Sequence, residues 1–198
     1  MIKKLISLVI ILLASCQTTF PPNEKYDLKI LGDITADKTQ ILMNDFFAKH
    51  EPKKQPVKVL IGSMGGEMVA VDMLWNAFDL IHLKGGTVNC FVPTVALSAA
   101  FYIFLLCDKK YAYEDATLMW HPIKSFVKQP TIYSAEQLQV LVDGLRQINT
   151  YIRGFVHQIL VDIPEATIDT AFKEEKLWLA EDLCKLTKVI TCVKRKSK

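Results

Sequence analysis

Beyond residue 25 the apolar positions fall into short runs whose spacing keeps changing. "YDLKILGDI" (26–34) reads as a strand, and "TADKTQILMNDFFAKH" (35–50) as a helix opened by Thr35 or Asp37. "VKVLIGS" (57–63) is a second strand and "GEMVAVDMLWNAFDLIHLK" (66–84) a second helix. "GGTVNCFV" (85–92) gives a turn and another strand. "CFVPTVALSAAFYIFLLCD" (90–108) is apolar almost throughout, and Ser98-Ala99-Ala100 within it suit the start of a buried helix. "KKYAY" and "ATLMW" are two short strand-like pieces before His121-Pro122. Strands alternating with helices predict an α/β sheet with crossovers.

The longest periodic stretch is "SAEQLQVLVDGLRQINTYIRGFVHQILV" (134–161), with Leu138, Leu141, Leu145, Ile148, Ile152, Phe155 and Ile159 at three- and four-residue steps. That is one continuous apolar stripe on a long helix, available to the parent domain or to another subunit. "IPEATIDTAF", a short helix over "WLAEDLC" and the strand "KVITCV" complete the chain, which shows no internal repeat. A length of 198 residues with 51% hydrophobic residues suits one domain, here residues 26–193, followed by a basic tail at 194–198. One core of this size buries about 70% of the surface the unfolded chain exposes.

The N-terminus changes the picture of where that domain works. Lys3 and Lys4 precede an apolar run from Leu5 to Leu13 and small residues before Cys16, the pattern of a secretion signal over residues 1–15. The run is shorter than the roughly 20 residues of a spanning helix. Its ending "LASC" resembles the bacterial lipobox, which makes Cys16 the lipid-bearing mature N-terminus. An ordinary secretory signal with an incidental cysteine is the alternative. Residues 16–25, with Pro21-Pro22, suit an extended tether. Gln17 after the cysteine resembles the signal for outer-membrane delivery, so the protein is expected on that membrane, facing the periplasm.

Net charge is +3, and +1 without residues 1–15, which argues against a nucleic-acid partner. No C-x-x-C spacing suggests zinc, and neither a metal nor a cofactor is expected. Cys90 and Cys107 lie in apolar runs and are expected as buried thiols, whereas Cys184 and Cys192 are close enough in sequence to form a disulfide in an oxidising compartment.

Three places could carry chemistry: Gly65-Gly66 between a strand and a helix, Ser98 at a helix start, and His121 just after a strand. Taken singly they read as a tight turn, an N-cap and a capped loop histidine. Together they could supply the backbone N–H donors, nucleophile and base of serine-mediated amide hydrolysis. "SMGGEM" (63–68) is similar to the "SPGGSV" of the Clp-type proteolytic subunit family of serine peptidases. "VALSAAFYIFLL" around Ser98 is similar to that family's "AASMGAFLL", and "LMWHPI" around His121 to its "MIHQP". A long helix follows in both, and the likeness covers roughly residues 27–193.

The resemblance implies the α/β Clp protease/crotonase fold of repeated β-β-α/βα units with a long protruding helix. It makes Ser98 the nucleophile, His121 the base and the N–H groups of Gly66 and Ala99 the oxyanion hole. The acidic third member falls on Glu175, with Glu174, Asp169 and Asp182 as substitutes. Thr94 stands where the family has glycine, Pro93 stiffens the approach, and Leu97 replaces a small residue before the serine. The resemblance implies hydrolysis of peptides or unfolded proteins by a homo-oligomer. An exported chain meets no ATP pool, so the family's ATP-driven unfoldase is not expected. Two other readings remain: a catalytically inactive lipoprotein that uses the fold to bind a peptide or protein, and the acyl-CoA chemistry of crotonase relatives.

Overall fold

The computed structural model describes residues 25–50, 56–124 and 133–195. The signal segment, Cys16 and the tether up to residue 24 lie outside the described residues, as do residues 196–198.

Five strands form one wholly parallel sheet: β1 (Leu28–Leu31), β2 (Val57–Gly62), β3 (Val88–Val92), β5 (Lys109–Tyr113) and β8 (Ile190–Val193), in the order β1-β2-β3-β5-β8. Val57, Val59 and Ile61 alternate with half-buried residues along β2, while every residue of the central β3 is buried. Continuous burial is what a parallel strand covered on both faces requires. A second, three-stranded sheet was not legible as such in the pattern: β4 (Val95–Leu97) pairs parallel with β6 (Thr117–Met119), and β6 pairs antiparallel with β7 (Trp178–Leu179). The single bridge Ser63↔Ala96 ties the end of the main sheet to this smaller one, and Ile34↔Gly66 joins the segments that follow β1 and β2.

Six helices complete the described fold: α1 (Ala36–Lys49), α2 (Met68–Leu83), α3 (Ala99–Leu106), α4 (Ala135–Ile159), α5 (Glu165–Glu174) and α6 (Ala180–Leu186). The Thr35 hydroxyl caps α1 by accepting from the Lys38 N–H. Seven of the eight residues of α3 are buried, because α2 packs on one side and β2, β3 and β4 on others. An all-apolar helix such as "AAFYIFLL" has no face for water and is stable only in that setting.

The far end of α3 corrects one expectation. Cys90 and Cys107 are buried, but as a disulfide with Cα atoms 5.9 Å apart. Seventeen residues separate them, yet the β3–β5 register pairs Cys90 with Lys110, three residues past Cys107, and so carries the end of α3 back to β3. The Lys110 ammonium donates to the Cys107 carbonyl, a favourable cation at a helix C-terminus. Burial pushes its pKa down, and Asp108 partly opposes that. Cys184 and Cys192 form a second bridge, Cα atoms 6.2 Å apart, joining α6 to β8.

Helix α4 opens with a capping box, in which the Ser134 hydroxyl accepts from the Gln137 N–H and the Gln137 side chain accepts from the Ser134 N–H. Its apolar stripe divides in two. Ile152 and Val156 are buried, and Phe155 lies 5.4 Å from Trp75 of α2 between ring centroids. Toward the N-terminus Leu138 and Leu141 are exposed, so the first turns stand clear of the domain.

Candidate active site

Ser98 joins β4 to α3 through a backbone that an L-residue rarely adopts, φ 55° and ψ −127°. Its N–H donates to the Met119 carbonyl at 2.9 Å, and its carbonyl receives the N–H groups of Phe101 and Tyr102. Those bonds hold the serine on a sharp strand-to-helix turn, with its hydroxyl free of any capping bond. Such conformations cost about 1–3 kcal/mol and persist where surrounding structure over-determines them. Among the described residues, Ser98 and Glu175 are the two non-glycine residues with positive φ.

His121 follows β6, which runs beside β4, and this pairing brings the two side chains together: His121 Nε2 lies 2.7 Å from Ser98 Oγ. The backbone at His121 is set by its neighbours. Trp120 is fully buried between Phe101 and Trp178, with ring centroids 5.1 and 5.9 Å away. Tyr102 Oη donates to the His121 carbonyl at 2.6 Å and accepts from the His121 N–H at 3.3 Å. Burial drives the Tyr102 pKa far above its ordinary value, so this hydroxyl stays protonated and remains a donor. Asn149 of α4 accepts from the Ile123 N–H at 2.6 Å and donates to its carbonyl at 3.2 Å, fixing the chain two residues further on.

The diglycine comes from the end of β2. A Cβ on Gly65 would sit 2.7 Å from Ser98 Cβ and 2.8 Å from the Leu97 carbonyl oxygen; one on Gly66 would sit 1.9 Å from the Ile34 carbonyl oxygen. Both approaches require glycine. The buried Ser63 hydroxyl pins the turn, donating to the Gly32 carbonyl at 2.5 Å and accepting from the Gly65 N–H at 3.0 Å. Neither the Gly66 nor the Ala99 N–H makes a backbone hydrogen bond among the described residues, and Ala99 opens α3. Free N–H groups at such a place can receive negative charge that develops on a reacting oxygen.

The acidic candidates are placed less regularly. A neutral His121 that accepts at Nε2 carries its proton on Nδ1, and Nδ1 is buried without a partner. Glu175, in the left-handed conformation at the end of α5, gives its carboxylate to Lys124 at 2.5 Å. The Lys124 hydrogen bond is the main cause that holds the Glu175 carboxyl below its ordinary pKa, and the nearby His121 adds a smaller pull. Asp169 is committed to Arg153 and His157, and Asp182 to Lys185 at 2.9 Å, so neither reaches His121 in this arrangement; Glu174 is exposed. One cluster of side chains suited to a cation, His157, Glu165 and Asp169, occurs among the described residues. Arg153 already pairs with both of its carboxylates.

Beside the pair lies an apolar cavity of about 450 Å³ between α2, α3 and α4. Its walls include Met68, Tyr102 and Ile123, which stand close in sequence to Gly66, Ser98 and His121, and also Val71, Trp75 and Phe155. Leu97 is not on its wall.

Tyr102, Ser63 and Lys124 were not singled out in the sequence. Tyr102 carried one signal: it is the polar-tipped residue in an otherwise apolar helix, one turn beyond Ser98. Tyr102→Phe removes a buried hydrogen bond of about 1–1.5 kcal/mol and leaves the His121 backbone held less firmly. If His121 acts as the base, kcat is expected to fall about tenfold with KM nearly unchanged, measured by steady-state peptide hydrolysis.

The parallel sheet, the small second sheet and a serine–histidine pair where they meet define an α/β protein of the Clp protease/crotonase-like fold. The structure is similar to that of a point mutant of ClpP1 from Listeria monocytogenes, with a TM-score of 0.68 and 14% identity over 85% of this chain and 91% of that one. No family model matches the chain, and no curated protein matches it in sequence.

Proposed function

We propose that this protein is a serine peptidase, exported and held by lipid on Cys16 at the outer membrane, facing the periplasm. The observation that carries the chemistry is the 2.7 Å contact of His121 Nε2 with Ser98 Oγ on a strained turn at the start of α3. Ser98 Oγ attacks the peptide carbonyl while His121 Nε2 takes its proton. The N–H groups of Gly66 and Ala99 receive the oxyanion, and the imidazolium returns the proton to the leaving amine. Water, activated by the same imidazole, then releases the acyl group from Ser98. The adjacent cavity has the size and lining for a large apolar side chain of the substrate.

A fluorophosphonate probe is expected to label the wild type at Ser98 and to leave Ser98→Ala unlabelled. A wild type that does not label leaves the second reading, a binding lipoprotein on the same fold, which the unpartnered His121 Nδ1 favours.

Two disulfides support export, since such bonds persist in oxidising compartments. Cys16→Ala is expected to move the protein out of the detergent phase in a partition assay; identical behaviour of the two proteins defeats the anchor. Exposed Leu138 and Leu141 on the free half of α4 support self-assembly without an ATPase. Residues 17–198 are expected to sediment above the monomer mass, and Leu138→Asp with Leu141→Asp to bring the mass down to it.

A further inference from the structure

The antiparallel register of β6 and β7 pairs Thr117 with Leu179 and Leu118 with Trp178. Past that ladder His121 follows β6 by two residues and Glu175 precedes β7 by three, so the antiparallel pair brings the two segments to the same end of the small sheet. A carboxylate thus lies near the base, close enough to feel its charge, and the ring nitrogen that needs an acceptor, Nδ1, is buried and has none. What occupies Glu175 instead is Lys124, three residues after His121, with Nζ 2.5 Å from Glu175 Oε1. From this arrangement we infer that Lys124 is a positioning residue that draws Glu175 away from His121, so that the site rests as a Ser98–His121 dyad and becomes a triad when the Lys124 pair opens. The inference rests on the peptidase reading for its rate consequence and on geometry for the pairing itself.

The chemistry favours such a competition. Glu175 and Lys124 are both partly exposed, at 40% and 52% of their side chains, and exposed ion pairs of this kind contribute little and open readily. A buried imidazole N–H gains more from a charged acceptor, because charge-assisted hydrogen bonds are the stronger kind. Opening therefore exchanges a weak surface contact for a bond that stabilises the imidazolium formed as Ser98 loses its proton. No group is consumed in the exchange; the Lys124 ammonium returns to water.

The test uses the full chain as wild type, Lys124→Met, Lys124→Arg, Glu175→Gln and the Lys124→Met/Glu175→Gln double variant. Lys124→Met is expected to raise kcat about tenfold with KM unchanged, the gain expected from one charge-assisted hydrogen bond to the base. Lys124→Arg keeps the ion pair and the wild-type rate. Glu175→Gln alone lowers kcat by less than about threefold, but in the Lys124→Met background it cancels the gain, a coupling that independent residues do not show. In proton NMR, Lys124→Met is expected to bring out a low-field imidazole Nδ1–H signal that the double variant lacks. If Ser98 labels with the fluorophosphonate probe in both proteins and Lys124→Met leaves kcat unchanged or lower, the inference is overturned. A gain that survives in the double variant overturns it as well. If no variant labels at Ser98, the peptidase reading falls by itself, and the NMR signal alone decides: its appearance in Lys124→Met supports the inference, and its absence overturns it.

Discussion

Ser98→Ala and His121→Ala are each expected to lower peptide hydrolysis by about a thousandfold or more, and the double variant to be scarcely worse than either. The expectation comes from the 2.7 Å contact: if the imidazole is the group that removes the hydroxyl proton, either loss disables the same step. Losses that multiply would mean that the two side chains work separately. Stability should move the other way in a third variant. Ser98 sits at φ 55° and ψ −127°, a conformation in which glycine is unstrained. Relief of about 1–3 kcal/mol of strain exceeds the roughly 0.5–1 kcal/mol of chain entropy that glycine costs. Ser98→Gly is therefore expected to melt about 2–6 °C higher while losing hydrolysis. A lower melting temperature in a calorimeter would contradict the reading of that turn as strained.

The alternation of strands and helices was legible because the main sheet is parallel and most of its strands are short apolar runs with turn residues beside them. The second sheet was not, for a physical reason: β4 is three residues long and β7 two, and their partners are set by register across the fold rather than by local pattern. Ser98, His121 and the diglycine stood out because each breaks its surroundings, a hydroxyl in an apolar run or two glycines at a strand end. The choice among the acidic candidates had no such signal. Asp169, Glu174, Glu175 and Asp182 all lie near the same stretch, and what separates them is their partner: Arg153 and His157, open exposure, Lys124, and Lys185. The Cys90–Cys107 bridge was hidden in the same way, since two apolar contexts give no hint that β5 returns the end of α3 to β3.

The diglycine offers the sharpest separation between folding and chemistry. Gly66→Ala forces a methyl to within 1.9 Å of the Ile34 carbonyl oxygen, where only backbone can move. The bridge Ile34↔Gly66 and the bond from the Glu67 N–H to the Ile34 carbonyl, 2.8 Å, must give way with it. A loss of more than about 4 kcal/mol is expected, among the large effects of single substitutions, which at this chain length lowers the melting temperature by about 8–16 °C. Gly65→Ala is different in kind. Its methyl meets Ser98 Cβ at 2.7 Å and the Leu97 carbonyl oxygen at 2.8 Å, so the strain falls on the Ser98 turn itself. Moving Ser98 Oγ by about 1 Å is enough to cost about a hundredfold in rate. Gly85→Ala controls for both, because its φ of 77° makes alanine strained but no atom lies within 4 Å. It should cost only about 1–2 kcal/mol and leave labelling at Ser98 intact. Melting curves and fluorophosphonate labelling of the three variants are therefore expected to diverge: Gly66→Ala poorly folded, Gly65→Ala folded but about a hundredfold slower to label, and Gly85→Ala slightly less stable and fully reactive. A Gly65→Ala protein that labels as fast as the wild type would remove the diglycine turn from the machinery around Ser98.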